Sequence, residues 1–376
     1  MVVFSRNRIS RTMMLCALAV VMPVQQPLVA AVPSAGEIEL QDQSEQDKEW
    51  ERVNECAKKA IAYLIRQQQD SGAIVDNNRH HTTMSSLAIM GMLAVGHKPA
   101  DETPEGVAMR KALKYVLQAD RIDDRGYFGS RDGSRMYGHG IITLMLAEVM
   151  GMGVDDQQDK LIRERLEKAI GLILKAQGVK KNDKKHVGGW RYNPDSSDSD
   201  LSVVAWQLIA LRAAQNAGID IPKGAIDQAI DYVKRCYRKY DKDKNQGYFC
   251  YTPGESNMRF GSAAGGFCVL QICGEYDSPE VIGAADYFLH YDIPSLQKRE
   301  YFYYGMYYYA QGMFQRGGKY ARRAQKVVRE LLLDRQLEDG SWPMGPRDEN
   351  GGKVYVTSLA LLSLSIHYHF LPIYQR

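Results

Sequence analysis

Residues 332–342 read LLDRQLEDGSW, and the spacing inside this stretch organises the whole chain. Leu332 closes an apolar helix-like run, Gln336 follows four residues later, and Gly340 and Trp342 follow in turn. A glutamine at a helix end caps backbone groups left over by the last turn, a glycine supplies a position where φ can be positive, and an aromatic ring covers the turn. The first half of this pattern recurs at Leu64 with Gln68 and at Ile173 with Gln177. Turns of related composition stand at Gln68–Gly72, Gln118–Tyr127, Gln177–Trp190, Asp241–Tyr248, His290–Pro294 and Gln336–Trp342, which sets a period of roughly 50 residues.

Each turn separates two helix-like stretches of different character. The first carries a 3.6-residue apolar stripe and a charged opposite face. Ile162, Leu166, Ala169, Ile170 and Ile173 make one such stripe, and Ala324, Val327, Val328, Leu331 and Leu332 another. That pattern describes a helix half in solvent. The second stretch is apolar nearly all round, as in Met84–Val95, Ile141–Met150, Val203–Leu211, Ala263–Ile272 and Val356–Ile366, and so is buried on both sides. Two-helix units of this kind cannot bury their apolar faces alone and must stack. Six of them suffice to close a ring, so the expected fold is an all-α (α/α)6 toroid, with six inner and six outer helices, over residues 49–376.

The first 31 residues follow other rules. Arg6, Arg8 and Arg11 precede an apolar run, Met13–Met22, and Ala30 and Ala31 close the segment, which is the layout of a secretory signal peptide cleaved after Ala31. The run is about half the ~20 residues needed to span a bilayer. Export to a periplasmic or extracellular location is therefore expected, with residues 32–48 as a disordered, acidic and Gln-rich leader. A net charge of +3 over 376 residues gives no case for nucleic acid, and a mean hydropathy of −0.38 argues against an integral membrane protein. Five cysteines remain after the leader, an odd number that is no disulfide framework, although Cys236 and Cys250 flank one turn and are candidates to pair.

The Leu332, Gln336, Gly340 and Trp342 pattern resembles the Gln–Trp repeat of the prenyltransferase and squalene-cyclase family. GGWRYNPDSSDSDLSVVAWQLIALRAAQNAG (residues 188–218) and GGKVYVTSLALLSL (351–364) are similar to segments of exported bacterial proteins with such repeats. The resemblance covers about Trp50 to Tyr374. It implies the toroid and a hydrophobic or isoprenoid-like ligand handled by terpene cyclase-like chemistry.

Laid on the acidic motif of triterpene cyclases, Asp198 and Asp200 match, with Asp200 in the position of the proton-donating acid and Asp195 nearby, but Leu201 replaces the last Asp. A neutral acid in a dry aromatic cavity suits alkene protonation, because burial raises a carboxyl pKa. Asp200 also reads as the N-cap of the helix that follows. The aromatic run Tyr301–Tyr309 contributes Tyr303, Tyr304 and Tyr307 as candidate ligand-facing rings, joined by Trp190, Tyr192, Tyr137, His139 and Tyr355 at the same rim. Packing within the two layers accounts for the same residues. No spacing resembles a zinc site, and no cofactor is expected. Two alternatives stand beside the isoprenoid reading. One is a carbohydrate-active (α/α)6 enzyme using rim carboxylates such as Asp123 or Asp124 with Asp200. The other is a non-catalytic scaffold whose rim docks protein partners.

Overall fold

The computed structural model of the chain describes residues 35–77, 79–241, 245–349, 351–368 and 370–374, with side chains from residue 47 onward. The expected signal peptide lies outside these residues. The described residues fall into two units that divide after Lys48. In the first, the stretch expected to be a leader is helical from Ala35, as the start of α1 (Ala35–Arg66).

The second unit is the expected toroid. Its inner helices are α2 (His81–Ala94), α5 (Arg135–Glu148), α7 (Leu201–Asn216), α9 (Phe260–Ile272), α11 (Phe302–Arg316) and α13 (Gly352–Leu364). Each packs on the next, and α13 packs back on α2, so the ring is closed. Outside them lie residues 49–66 of α1, α3 (Pro104–Val116), α6 (Asp156–Gln177), α8 (Lys223–Arg235), α10 (Pro279–His290) and α12 (Gly318–Leu332). A single short helix, α4 (Phe128–Asp132), sits in the second turn. The fourth turn departs from an all-α reading. It is a two-stranded antiparallel hairpin, β1 (Tyr237–Asp241) with β2 (Gln246–Phe249), in which Tyr237 pairs with Phe249. The tyrosines and phenylalanine of the two strands, Tyr237, Tyr240, Tyr248 and Phe249, are residue types that favour a strand. The fifth hairpin, which lacks the Gly–aromatic turn, is joined by a 3-10 turn at Ile293–Lys298.

The repeated glutamine is a staple between neighbouring repeats. Gln68 Nε2 donates to Gly72 O at 3.0 Å and to Ala108 O of α3 at 2.9 Å. Gln177 Nε2 donates to Gly188 O at 3.0 Å and to Ala225 O of α8 at 2.8 Å. Gln336 Nε2 donates to Gly340 O at 2.9 Å and to Cys56 O at 2.8 Å, so the last turn is fastened to the first outer helix. Trp190 and Trp342 each return an indole N–H to the outer helix before them, at Ile173 O and Leu332 O, both at 2.8 Å. The turn glycines permit this contact. Gly188 and Gly340 hold φ of +86° and +85°, and a Cβ there would lie 2.1 Å from Gln228 O and 2.2 Å from Lys59 O.

At the opposite end of each turn, the loop of one repeat caps the inner helix of the repeat before it. Asp132 accepts from Thr82 N at 2.8 Å and Thr83 N at 3.2 Å. Met136 N donates to Tyr192 O, Leu201 N to Tyr251 O, and Tyr301 N to Pro346 O. Lys353 N donates to Asp76 Oδ2 at 2.6 Å, which carries the chain of caps across the join between last repeat and first. The inner helices thus begin at one rim, where unpaired N–H groups and the positive ends of helix dipoles collect.

Among the described residues the middle of the ring is occupied by aromatic side chains. Trp206 stacks on Tyr307 with ring centroids 5.7 Å apart and an interplanar angle of 12°, and also touches Tyr304 and Tyr308. Tyr307 hydrogen-bonds Tyr374, whose 3-10 turn (Pro372–Tyr374) packs on α7. A pocket among Ala94, Gln311, Leu362 and Tyr374 is no larger than about 10 Å³, the size of one water. The cysteines Cys56, Cys236, Cys250 and Cys268 are buried free thiols, and Cys273 is a half-buried one. Cys250 N instead donates to Cys236 O at 2.9 Å.

Candidate active site

Asp200 decides where chemistry is feasible. As the N-cap of α7, its Oδ1 accepts from Val203 N at 3.1 Å and from Ser202 Oγ at 2.5 Å. The side chain is completely buried. Its other oxygen, Oδ2, has no hydrogen-bond donor and faces only Arg191 NH1 at 3.5 Å. Burial pushes the carboxyl up from its ordinary value, against the pull of the Ser202 hydroxyl and the Arg191 guanidinium. The residue is therefore both things the sequence allowed: a cap through one oxygen, and a desolvated acid through the other.

The surroundings are phenolic. Tyr137 hydrogen-bonds Ser202 Oγ, and Tyr304 OH donates to Ser202 O at 3.0 Å. Tyr304 reaches α7 from α11, two positions round the ring, by crossing the start of α9. Gly261 allows the crossing, since a Cβ there would stand 2.5 Å from the Tyr304 ring. Nearer solvent, Tyr192 and Tyr251 share a hydroxyl contact at 2.5 Å. Arg191 lies 4.6 Å from the centroid of the Tyr192 ring, and Arg259 4.5 Å from that of Tyr251. Arg191 Nε also faces Asp198 Oδ2 at 3.5 Å, so one guanidinium stands between two carboxyls.

The other expected residues divide by exposure. Asp195 is exposed and Asp198 half-exposed on the same loop. Tyr137, Tyr192 and Tyr355 are half-buried near the helix starts, whereas Tyr304 is buried against Trp206 and Tyr308. Trp190 is a staple rather than a rim ring, and Tyr303 is buried with its hydroxyl on Pro343 O at 2.8 Å. Tyr307 belongs to the plug of the ring. His139 is buried with Nε2 on Ala169 O at 3.1 Å, and burial holds its ring down to about 4, hence neutral near pH 7. Asp123 is engaged in its own turn. Despite partial burial, donors from Tyr127, Arg125 and Ser130 hold its carboxyl below the usual range, the wrong state for a proton donor. Sequence reasoning missed Asp348, Arg191 and Tyr251. Arg191 and Tyr251 carry no motif, and Asp348 lies in a loop with no periodicity.

No protein-family model matches the chain, and no curated protein does. Solved structures do. The chain is similar to the GH76A α-1,6-mannanase of Salegentibacter sp. HEL1_6, at 13% identity and a TM-score of 0.56, covering 83% of this chain and 98% of that one. Inactive variants of the same enzyme match alike: one in complex with α-1,6-mannotriose, at 12% identity and a TM-score of 0.55, and one with α-1,6-mannotetrose, at 13% and 0.56. Each covers 83% of this chain and 98% of the other.

At this identity the likeness establishes the fold, an (α/α)6 toroid. It also corrects the resemblance drawn from the Gln–Trp pattern. These solved structures are of an α-1,6-mannanase, not of a prenyltransferase or squalene cyclase. Gln68, Gln177, Gln336, Trp190 and Trp342 are staples that any closed ring of hairpins can use. The terpene cyclase-like activity and the hydrophobic, isoprenoid-like ligand fall with that resemblance. The aromatic cavity they required is packed solid by Trp206, Tyr304, Tyr307, Tyr308 and Tyr374. Among the described residues no helix is long and apolar enough to cross a membrane.

Proposed function

We propose that the protein is an exported carbohydrate-active enzyme that binds a saccharide at the rim where the inner helices begin. The observation that carries this reading is the buried carboxyl of Asp200, with an oxygen lacking any donor, set under the ledge of Tyr137, Tyr192, Tyr251 and Arg191. Aromatic faces and guanidinium planes suit the apolar faces and hydroxyls of a sugar ring. A carboxyl whose burial favours the protonated form suits donation to a glycosidic oxygen. The aromatic packing at the middle of the ring supports a ligand at the rim, and the likeness to toroids solved with mannooligosaccharides supports the class. Asp198, shared with Asp200 by Arg191, holds that guanidinium in place. Export rests on Arg6, Arg8, Arg11, the apolar run Met13–Met22 and the Ala30–Ala31 site, and assigns the mature chain to a periplasmic or extracellular setting.

The test uses the chain from Val32 onward. It is incubated with α-1,6-mannotetraose and a panel of neutral oligosaccharides, and new reducing ends are measured. Turnover that Asp200→Asn lowers by at least about 100-fold, the size of a general-acid contribution, is expected. A folded protein that neither binds nor cleaves any member of the panel refutes the reading.

A further inference from the structure

Cys236 and Cys250 stand at the two ends of the β1–β2 hairpin, one as the C-cap of α8 and the other as the residue after β2. The ladder brings them face to face. Tyr237 pairs with Phe249, Arg238 with Tyr248 and Lys239 with Gly247, and continuing that register by one residue sets Cys236 opposite Cys250. Cys250 N donates to Cys236 O at 2.9 Å, so the pairing reaches them. The adjacent pair holds its side chains in contact, the rings of Tyr237 and Phe249 lying 5.2 Å apart. Antiparallel partners joined by such a bond have Cα atoms about 5.5 Å apart, inside the range of about 4.4–6.8 Å that a disulfide spans.

The other described cysteines offer no comparable pair. Cys268 lies on α9 and Cys273 is its C-cap, so about 7.5 Å of helical rise separates them, beyond that range. Cys56 lies alone on α1. Cys236 and Cys250 are 2% and 1% exposed. They are free thiols in the structure, and burial pushes both above the ordinary thiol range. A buried thiol yields little thiolate, the attacking form, so the folded reduced pair is slow to oxidise. The same burial shields a bond made earlier, while the hairpin is still forming.

We propose that Cys236 and Cys250 form a disulfide as the exported chain folds, a covalent clasp beneath the loop that carries Tyr251. This rests on the export reading above and not on the sugar chemistry. The bond forms by exchange with an oxidising disulfide, either a small molecule or a protein. The thiolate of one cysteine attacks a sulfur of that disulfide and expels one thiolate, and the thiolate of the other cysteine attacks the mixed disulfide and expels the second. Two cysteine sulfurs are oxidised, the incoming disulfide is reduced to two thiols, and the two cysteine protons end on them. The clasp has a bearing on the rim. Tyr251 follows Cys250 directly, its carbonyl accepts from Leu201 N at 2.8 Å, and its hydroxyl meets that of Tyr192 at 2.5 Å. A bond at Cys250 therefore ties the end of α8 to the segment that meets the start of α7.

The full-length chain is unfolded and reduced, then refolded with reduced and oxidised glutathione, and in parallel is recovered from cells that express it. Remaining thiols are alkylated after unfolding, and the chain is peptide-mapped without reductant. The expected map holds one linked peptide pair, two hydrogens lighter than its parts, that contains Cys236 and Cys250, with every other cysteine alkylated. Reductant should lower the melting temperature of the oxidised protein by about 5 °C, as loss of a clasp on a loop of about 15 residues predicts. The double variant Cys236→Ala, Cys250→Ala should lose that response, and if it fails to fold the peptide map decides alone. Both cysteines alkylated after refolding in glutathione, or either joined to Cys56, Cys268 or Cys273, overturns the proposal. A chain that forms the bond in glutathione but is recovered from cells with both thiols alkylated also overturns it. Found in the cytosol, that chain overturns the export reading as well, and the sugar reading is untouched by either result.

Discussion

Replacing Gln336 by alanine tests whether the ring is held shut by its glutamine staples. The side chain makes two charge-neutral hydrogen bonds, to Cys56 O at 2.8 Å and to Gly340 O at 2.9 Å, and both acceptors are backbone carbonyls in a half-buried setting. Each bond is worth about 1 kcal/mol net, and each abandoned carbonyl adds a desolvation cost that water only partly relieves. The expected loss is about 2–3 kcal/mol, a large share of a total stability that is commonly 5–15 kcal/mol. Urea unfolding followed by far-UV circular dichroism gives the number, and an unchanged m-value keeps the comparison valid. Gln68→Ala removes the same pair of bonds one repeat later and should cost the same amount. Because Gln336 and Gln68 share no partner, the double variant should lose the sum to within about 0.5 kcal/mol. A Gln336→Ala loss below about 0.5 kcal/mol would refute the staple argument. So would strong non-additivity, which would mean that closing the ring, not the local bonds, carries the energy.

Other outcomes follow from individual contacts. Gly188→Ala places a Cβ 2.1 Å from Gln228 O and should cost several kcal/mol, whereas Gly218→Ala, at a similar φ of +81° but with nothing within 4 Å, should cost about 1 kcal/mol; equal melting shifts would contradict this. Glu148 is buried against the C-terminal turn, with Ile373 N at 3.5 Å from Oε2, and burial pushes its carboxyl up to about 8. A raised acid keeps its proton in the fold while the unfolded chain ionises, so stability is full below about pH 4.5 and declines as pH climbs to 8. Glu148→Gln should match wild type at pH 4.5 and exceed it at pH 8 by a few kcal/mol, on the order of 3, in denaturant titrations. Asp200→Asn should stay within a few tenths of a kcal/mol of wild type in stability, because asparagine caps as well as aspartate; Asp200→Ala should lose about 1 kcal/mol, and a reversed order in melting temperature would deny the cap.

The architecture was legible because it is written many times. Hairpins with one striped helix and one wholly apolar helix leave closed stacking as the way to bury both, and α13 resting on α2 completes what Leu332, Gln336 and Trp342 imply. The strands at Tyr237–Asp241 and Gln246–Phe249 were hidden because a short turn and a short hairpin differ by only a few alternating residues. The family assignment failed for a different reason. Gln336 and Trp342 look like a family mark, yet their hydrogen bonds go to Cys56 O, Gly340 O and Leu332 O, all backbone. Such contacts report ring closure and are indifferent to what the ring binds. The aromatic run at Tyr301–Tyr309 misled similarly, since composition does not say whether Tyr307 lines a cavity or fills one, and stacking on Trp206 fills it.

The rim aspartates explain why fold could be read and chemistry could not. Asp76, Asp132 and Asp200 all arise from one structural demand, the capping of inner helices whose first N–H groups lack partners. A carboxylate has two oxygens and a cap can need only one. What distinguishes these aspartates from one another is therefore the fate of the second oxygen. At Asp132 both oxygens take N–H groups of α2, while at Asp200 the second meets only a distant guanidinium, and at Asp348 it meets nothing. That difference depends on loop geometry of a few ångströms, set by Gly345, Arg191 and Tyr304 from three separate repeats. The residue type and its spacing are the same in both cases, so the letters of the chain carry the cap, and only the folded rim carries the acid.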